Sequence, residues 1–381
     1  MTRVQGQKHQ DVYASVRPTN PRKSIASIDR KSRPNPQLPT EIIISILLRL
    51  PVKALLRCRC VCKSWSSLIR CPSFVTAFRN ESNKSTTTNL LFRKNELFFL
   101  SNIDEEEQQG NNIILIPTPI AELPCMKQIV HGLACASSGS CPVSIHNLST
   151  RESIQLPHVK REYNKFATYH FGLSPLTNEY KVLQIFQRFR PKTPRKLDIQ
   201  FNVFTLGTDS SWRPLQVDPG HLLFDALSYA FETNVRCSAS VCVNGAIHWM
   251  YERQKLIVVF EVREETFRVV PLPQDYTQEF GQDNHEYKRI TDDYGQADAS
   301  IIEVGGCVGV YADKSWKQNK REAGFVEVLG TIHTGELAFA LYLDRNTICS
   351  DSLCIASTFG FWETSPLKLV SIYDDSIVPL K

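Results

Sequence analysis

The most informative stretch of this 381-residue sequence is Leu38-Pro39-Thr40-Glu41-Ile42-Ile43-Ile44-Ser45-Ile46-Leu47-Leu48-Arg49-Leu50-Pro51. At about 100° per residue, its Ile and Leu side chains between positions 42 and 50 spread over about 240° of a helix. A surface helix needs an apolar stripe of only about 100°. The pattern therefore predicts a helix that is covered on two sides, one by helices of the same chain and the other by another protein.

Prolines set the limits of three short predicted helices. Pro39 suits a first helical turn, because its missing N–H has no partner there, and Pro51 ends the first helix and starts the second, Val52–Cys58. Pro72 ends the third helix. One apolar face of that third helix consists of Val61, Trp65, Leu68 and Ile69. A structural cap on a larger fold and a helix-turn-helix DNA reader are the alternatives, although the latter requires a more polar recognition helix.

This stretch resembles the F-box, through Leu38-Pro39, Glu41-Ile42, residues 46–53 and residues 60–65. The F-box docks on the Skp-type adaptor of SCF (Skp–cullin–F-box) ubiquitin ligases, so the resemblance implies that adaptor as a partner and, through it, a cullin. The adaptor-facing residues that the resemblance implies are Leu38, Pro39, Ile42, Ile46, Leu47, Leu50, Pro51, Val52, Leu55, Val61 and Trp65. Some of these serve the core of the module itself, and the sequence does not divide the two groups.

The positive charge of the chain is concentrated at its N-terminus. Residues 1–37 carry eight Lys and Arg against two Asp, so the remainder is close to neutral although the whole chain has a formal charge of +5. This segment is rich in Pro, Ser, Asn and Gln, a composition typical of a disordered, solvated tail. A role in nuclear import is the weaker interpretation, and no nucleic-acid-binding body is expected.

Composition also indicates the compartment. No run of eighteen apolar residues is present, and the first residues lack the apolar core of a secretory signal, so we expect neither a membrane span nor secretion. Twelve cysteines without such a signal favour reduced thiols over a disulfide framework. The predicted location is the cytoplasm, the nucleus or both.

After a polar linker predicted at residues 80–89, short β-branched and aromatic runs replace the helical pattern. Asn244-Gly245 favours a tight hairpin turn, and Leu256–Val262 with Thr266–Val270 reads as another hairpin. The fold class is therefore α+β multidomain, with a small three-helix module at 38–79 followed by an all-β, β-propeller-like domain at 90–377.

An internal repeat favours the propeller over a sandwich, which stays open. One copy runs from Gly132 to Leu156 and another from Gly245 to Leu272, and each reads as a glycine turn, a strand, a reverse turn, a strand and a Leu-Pro exit. A degenerate third copy starts near Gly330. Small antiparallel sheets that recur along a chain suit a propeller, because it exposes only short edges.

The same region resembles the F-box-associated domain of plant F-box proteins. The resemblance lies in residues 171–182, 204–213, 243–249 and 270–273, and it fades over 276–330. That domain is similar to kelch-type propellers, and the resemblance implies recruitment of a protein substrate.

No residue pattern indicates catalysis, a cofactor or a metal. Cys58, Cys60 and Cys62 alternate along a predicted helix, where such side chains point about 200° apart and do not converge on zinc. Nucleophile elbows, phosphate-binding glycine loops and paired carboxylates are absent from the sequence. The glycine run at 305–309 reads as close packing near a propeller centre.

Two charged loops are the candidate contacts for a substrate. The first, at 188–196, is basic, and the second, at 274–300, is acidic; long loops on a rigid scaffold often carry binding, although two solvated loops are the simpler interpretation. Their selected residues are Arg188, Arg190, Lys192, Arg195, Lys196, Asp283, Glu286, Asp292 and Asp293.

The sequence thus predicts a non-catalytic substrate-recognition subunit of an SCF ubiquitin ligase, with an unknown protein as its target. The alternative is a ligand-binding or enzymatic β-propeller that carries a structural helical cap.

Overall fold

The computed structural model describes residues 38–82, 87–94, 97–104, 116–118, 126–137, 143–157, 165–189, 197–217, 222, 224, 240–251, 254–274, 299–312, 325–331, 337–342 and 368–380. The chain divides into two compact units, residues 1–43 and 44–381, and the division falls within the first helix. In the first unit, the described residues are the start of that helix and the two residues before it.

Four helices open the described chain: α1 (Thr40–Leu48), α2 (Val52–Cys58), α3 (Lys63–Arg70) and α4 (Pro72–Ser82). The first three agree with the sequence pattern, whereas α4 was not predicted. Pro72 follows the end of α3, as predicted, and also starts α4, because proline at the first helical position gives up no hydrogen bond. Cys71 before it is extended, with φ −68° and ψ 143°, as the residue before a proline prefers. None of the helices that the structure describes is long and apolar enough to span a membrane.

The segment predicted as a linker, 80–89, overlaps described elements at both ends. Its first residues belong to α4, which continues to Ser82, and its last residues belong to the first strand, which starts at Thr87. The polar composition that suggested a linker therefore includes the solvent-facing end of a helix.

The strands are β1 (Thr87–Lys94), β2 (Leu97–Asp104), β3 (Ile116–Thr118), β4 (Met126–Val130), β5 (Leu133–Ala136), β6 (Ser144–Asn147), β7 (Ser153–Gln155), β8 (Lys165–Ser174), β9 (Glu179–Phe189), β10 (Leu197–Thr205), β11 (Arg213–Pro214), β12 (Ser240–Val243), β13 (Ala246–Tyr251), β14 (Leu256–Glu261), β15 (Thr266–Pro271), β16 (Ala299–Val304), β17 (Cys307–Ala312), β18 (Phe325–Thr331), β19 (Leu337–Tyr342) and β20 (Lys368–Tyr373). They form six antiparallel sheets in sequence order: sheet A (β20-β1-β2-β3), sheet B (β4 to β7), sheet C (β8 to β11), sheet D (β12 to β15), sheet E (β16-β17) and sheet F (β18-β19).

First strands of successive sheets lie next to one another. β4 contacts β8, β8 contacts β12, and β12 contacts β16, while the last strand β20 contacts β4 and pairs with β1. Sequential meanders whose first strands are neighbours are the arrangement of propeller blades. The prediction of helices followed by an all-β, propeller-like domain is confirmed.

The two repeats found in the sequence are the last three strands of sheets B and D. Each repeat has the same two backbone hydrogen bonds: Leu148 N to Gly132 O (3.1 Å) and Leu156 N to Val143 O (2.8 Å) in sheet B correspond to Val262 N to Gly245 O (3.0 Å) and Leu272 N to Lys255 O (2.9 Å) in sheet D. Because the same bonds recur, the repeat is a structural unit and not a coincidence of composition.

A third copy of the unit is present in sheet C, whereas the degenerate copy predicted from Gly330 to residues 343–344 lies partly outside the described residues. Sheet C repeats the pattern, with Leu206 N donating to Tyr180 O and Leu215 N to Phe201 O, both at 2.8 Å. Gly330 instead lies inside β18, at a shift in strand register. The prediction of close packing at Gly305 and Gly306 is also wrong, because these residues form the exposed β16–β17 turn with positive φ, and a Cβ at either would meet no described atom within 4 Å.

The core of the β-domain lies between neighbouring sheets. Sheets C and D enclose a cluster that includes Phe201, Trp249 and Phe260, and sheets B and C enclose a second one that includes Phe171. The C-terminal segment completes the second cluster, since Leu380 is buried in it and Val378 O accepts a 3.0 Å hydrogen bond from Asn147 Nδ2. Packed residues therefore continue past the predicted domain boundary at 377.

Candidate functional site

The structure divides the eleven residues that the sequence assigned to adaptor binding. Leu47, Val52 and Leu55 are buried, with at most 5% of each residue exposed. Leu50 and Trp65 are half-buried. The exposed members, here called the exposed apolar set, are Leu38, Pro39, Ile42, Ile46, Pro51 and Val61.

Local structure explains this division. In α1, Ile46 is 50% exposed whereas Leu47 is 1% exposed, although the two are adjacent and similarly apolar. Neighbouring positions of a helix point about 100° apart, so one of them faces the core of the module and the other faces solvent. The structure thus supplies the distinction that an almost uniformly apolar helix hides in its sequence.

The exposed apolar set holds most of the large apolar side chains that are open to solvent. Among the residues that the structure describes, these are Leu38 (56%), Ile42 (47%), Ile46 (50%), Val61 (65%) and Leu176 (79%). The first two belong to the first unit, the next two to the second, and Leu176 to the β8–β9 turn. In each unit, exposed apolar residues within a short stretch of sequence are typical of a protein-binding surface, whereas a single exposed Leu is ordinary.

The cysteines of the helices show no metal-binding arrangement. All four are free thiols, and no group of three or more His, Cys, Asp or Glu residues in the described ranges is placed to hold a metal ion. Cys62 directly precedes α3, where the Ser64 hydroxyl, 3.1 Å from its sulfur, lowers the pKa of its exposed thiol.

Histidines of the β-domain have structural partners. His170 stacks on Trp249 with 4.5 Å between ring centroids, and His146 Nε2 lies 2.8 Å from Ser144 Oγ. His131 Nδ1 lies 3.3 Å from a carboxylate oxygen of Asp374. Burial lowers the pKa of His146 and of His248, which favours their neutral forms. These contacts give His131, His146 and His170 a place in the packing of the β-domain.

The first strands of neighbouring sheets are joined by side chains that accept hydrogen bonds from backbone N–H groups. Gln128 Oε1 in β4 accepts hydrogen bonds from Phe171 N (3.0 Å) and from Ser240 Oγ (2.8 Å), so it links sheets B, C and D. Burial raises the pKa of the Cys242 thiol to about 11, and its sulfur accepts from Leu173 N at 3.3 Å. These polar groups hold the blades together.

Most of the charged residues selected as substrate contacts lie outside the described residues. These are Arg190, Lys192, Arg195, Lys196, Asp283, Glu286, Asp292 and Asp293. Only the backbone of Arg188 is described, near the end of β9. The prediction for these residues therefore remains a prediction.

Strand directions do place the origins of the two charged loops. The β8–β9, β12–β13 and β16–β17 turns lie together at one end of the domain, since Gly245 is next to Pro175 and Asn244 Nδ2 donates to Gly306 O at 3.1 Å. Antiparallel strands alternate in direction, so the β9–β10 and β15–β16 connections leave from the opposite end. Both charged loops therefore start at the same end of the domain.

Helices α2 to α4 contact the end that carries the tight turns. Arg79 in α4 donates a hydrogen bond to Asn178 Oδ1 in the β8–β9 turn, and Arg59 after α2 lies 3.7 Å from Glu152 near the β6–β7 turn. Sequence reasoning missed both arginines. A signal was available for Arg79, because it lies four residues after Val75 on the apolar face of α4.

Comparisons with known proteins agree with this two-part organisation. A family model described as "F-box associated beta propeller domain" matches residues 87–291, more than half of the chain, and an "F-box-like" model matches residues 36–77. Three similar proteins come from Arabidopsis thaliana. The F-box protein DOR is 28% identical over 66% of this chain and 65% of its own length. An F-box/kelch-repeat protein is 27% identical over 67% and 64%, and another F-box protein is 28% identical over 62% and 57%. The matched region thus spans less than two thirds of each relative.

Proposed function

Because this chain belongs to the F-box-associated β-propeller family and carries an F-box-like segment, we propose that it is the substrate-recognition subunit of an SCF ubiquitin ligase. The exposed apolar set would bind a Skp-type adaptor, which brings a cullin, and the β-domain would hold a target protein. The observation that carries this proposal is the concentration of exposed Leu, Ile and Val side chains between residues 38 and 61.

In this role the chain transfers no ubiquitin itself and needs no catalytic residue or cofactor. Holding the target near the charged conjugating enzyme raises the local concentration of its lysines, and proximity of this kind is a large part of catalysis. The work would take place in the cytoplasm, the nucleus or both.

The target would bind at the end of the β-domain from which the charged loops leave. Helices α2 to α4 contact the opposite end, at Asn178 and Glu152. The basic and acidic loops would then contact different patches of one partner, since complementary charge gives specificity and faster association. A target at this end is not obstructed by the described helices.

The test compares two variants of equal chemistry. Ile46→Ala shortens an exposed side chain of α1, and Leu176→Ala shortens one that is even more exposed but belongs to the β-domain. We expect Ile46→Ala to weaken binding of a purified Skp-type adaptor by about tenfold or more, as measured by titration calorimetry, because a central interface side chain contributes about 1–2 kcal/mol or more. Leu176→Ala should bind as the wild type does.

Circular dichroism confirms that both variants remain folded. Equal adaptor affinity for Ile46→Ala and the wild type would contradict the assignment of this surface. A wild-type chain that binds no Skp-type adaptor would overturn the proposed function itself.

A further inference from the structure

Helix α4 buries a charged side chain that the proposed function does not use. Phe74, Val75 and Phe78 form its apolar face, and Arg79 lies beside them with only 8% of the residue exposed. A buried guanidinium is costly unless hydrogen bonds and other favourable contacts compensate for its lost hydration. The position of Arg79 is therefore determined by the groups around it.

Those groups belong to the β-domain. Arg79 Nη2 donates to Asn178 Oδ1, and its guanidinium carbon lies 5.9 Å from the centre of the Tyr180 ring, within the range of a cation–π interaction. Asn178 has φ +58°, a left-handed conformation that Asn tolerates better than most residues. The turn thus presents its side-chain oxygen on a fixed backbone to a planar, directional donor.

A second arginine makes a contact on the neighbouring sheet. Arg59 Nη2 lies 3.7 Å from Glu152 Oε1, and Glu152 Oε2 accepts a 3.2 Å hydrogen bond from Leu380 N of the C-terminal segment. The side chains of Arg59 and Glu152 are 13% and 17% exposed. A hydrogen bond within the β-domain therefore fixes the Glu152 carboxylate that Arg59 contacts.

Two contacts on different sheets restrict more than one contact does. Arg79 in α4 engages sheet C, and Arg59, the residue after α2, forms an ion pair on sheet B, so contacts at two separate points restrict the helical region. Contacts between domains of one chain usually permit relative motion unless they are large and apolar. Since the described packing of α4 is mainly against α3, these charged contacts are what would restrict motion of the helices on the β-domain.

We propose that Arg79 is a positioning residue, which together with Arg59 fixes the helices on the β-domain and so sets where a bound target lies relative to the adaptor. This inference rests on the proposed function. Ubiquitin transfer requires a target lysine to reach the charged conjugating enzyme, and small misplacements of reacting groups reduce rates strongly. Loosening the contact should therefore reduce transfer more than it reduces binding of either partner.

The first experiment measures the contact directly and needs no partner. Spin labels are introduced by genetically encoded amino acids at Ser67 in α3 and Thr208 in the β10–β11 turn, both exposed. Pulsed electron–electron double resonance then gives the distribution of distances between the two labels. We expect one narrow peak for the wild type and a wide distribution for Arg79→Ala, with Arg79→Lys in between because a lysine lacks the planar guanidinium.

Matched variants separate the contact from the fold. Asn178→Gly removes the acceptor but tolerates the positive φ, so it should broaden the distribution while the β8–β9 turn stays intact. Tyr180→Phe keeps the ring under the guanidinium and removes a buried hydroxyl that has no hydrogen-bond partner among the described residues, so it should leave the narrow peak unchanged. An unchanged peak for both Arg79→Ala and Asn178→Gly would overturn the inference.

The second experiment uses the assembled ligase, with ubiquitination of this chain itself as the probe. We expect Asn178→Gly to bind the Skp-type adaptor with unchanged affinity, to lose transfer rate, and to spread ubiquitin over more lysines in a mass-spectrometric map. An unchanged rate and map would overturn the positioning role alone. A wild-type chain that binds no adaptor would instead overturn the proposed function, and the two failures are therefore distinguishable.

Discussion

The helices and the β-domain treat their apolar side chains differently. In the described residues, the helical region 38–82 leaves four large apolar side chains more than 45% exposed, whereas the much longer β-domain leaves one, Leu176. Its largest fully buried side chains include Trp249, Tyr251 and Phe260, each at 0% exposure. In the described residues, the β-domain thus covers nearly all of its large apolar side chains, whereas the helical region presents apolar surface that a second protein can cover.

Size explains part of this contrast. A short helical module has a high surface-to-volume ratio and cannot hide all of its apolar residues, whereas stacked sheets enclose several layers. Size does not explain why Ile46 is exposed while Leu47 beside it is buried. Exposed apolar residues that lie close together are typical of protein-binding surfaces, and binding is the role proposed above for the exposed apolar set.

The largest expected effect tests the completeness of the β-domain. Gly132 and Gly207 both have positive φ, at +73° and +78°. A Cβ at Gly132 would overlap the carbonyl oxygen of Asp374 and lie 2.7 Å from Ser376 Cβ, whereas a Cβ at Gly207 has nothing within 4 Å. We expect Gly132→Ala to cost about 4 kcal/mol or more of unfolding free energy and Gly207→Ala only about 1–2 kcal/mol, as measured by urea denaturation.

Equal costs for the two glycine variants would contradict the close approach of the C-terminal segment to the β4–β5 turn. The comparison is clean because both positions carry the same backbone penalty. Only the neighbouring atoms differ.

The next largest effect compares a buried and an exposed side chain within the helices. Leu55 is 0% exposed and Ile46 is 50% exposed. Leu55→Ala should lower local stability by about 2–5 kcal/mol, because it leaves a cavity, whereas Ile46→Ala should change it by less than about 0.5 kcal/mol. Hydrogen exchange of the α2 and α4 amides measures both values in the full chain.

If Ile46→Ala destabilised the helices as much as Leu55→Ala, the exposed apolar set would be part of the module's own core. The contrast between a self-sufficient and a partner-dependent region would then fail.

Local signals explain what the sequence predicted correctly. The proline-limited helices α1 to α3, the Asn244-Gly245 turn and the repeats in sheets B and D all follow from neighbouring residues, because turn chemistry and periodicity act over a few positions. Helix α4 was not predicted, because a proline such as Pro72 can mark either the end of one helix or the start of another.

Other features depend on contacts between distant positions, which local patterns do not encode. Asn147 is 231 residues from its partner Val378, and Arg79 is 99 residues from Asn178. The division of the apolar helix residues into buried and exposed sets could not be predicted for another reason. A helix that is apolar over about 240° gives no periodic signal for its buried face. Tertiary packing supplies that choice.

The smallest expected effect tests whether charged contacts at the turns of the β-domain also stabilise it. Glu265 in the β14–β15 turn accepts from Lys181 Nζ at 2.9 Å and from Arg213 at 2.6 and 2.8 Å, so it joins sheets D and C. The hydrogen bonds from Arg213 and then Lys181 lower the pKa of Glu265. Glu265→Gln should therefore reduce the free energy of unfolding by about 1 kcal/mol near neutral pH.

The pH dependence distinguishes this network from ordinary surface charge. Since the pKa of Glu265 is lower in the folded chain, its contribution is fully present above the pKa of an unfolded glutamate, about 4.3, and is lost as the pH falls through the folded value. Urea midpoints of the wild type and Glu265→Gln should therefore differ near pH 7 and converge in acid. Glu264→Gln is the matched control. The Glu264 side chain is in the same turn but is 54% exposed, and its ion pair with Arg263 is long, at 3.8 Å. A constant gap at every pH would mean that Glu265 acts through packing, and no charged link between sheets C and D would then contribute to the completeness of the β-domain.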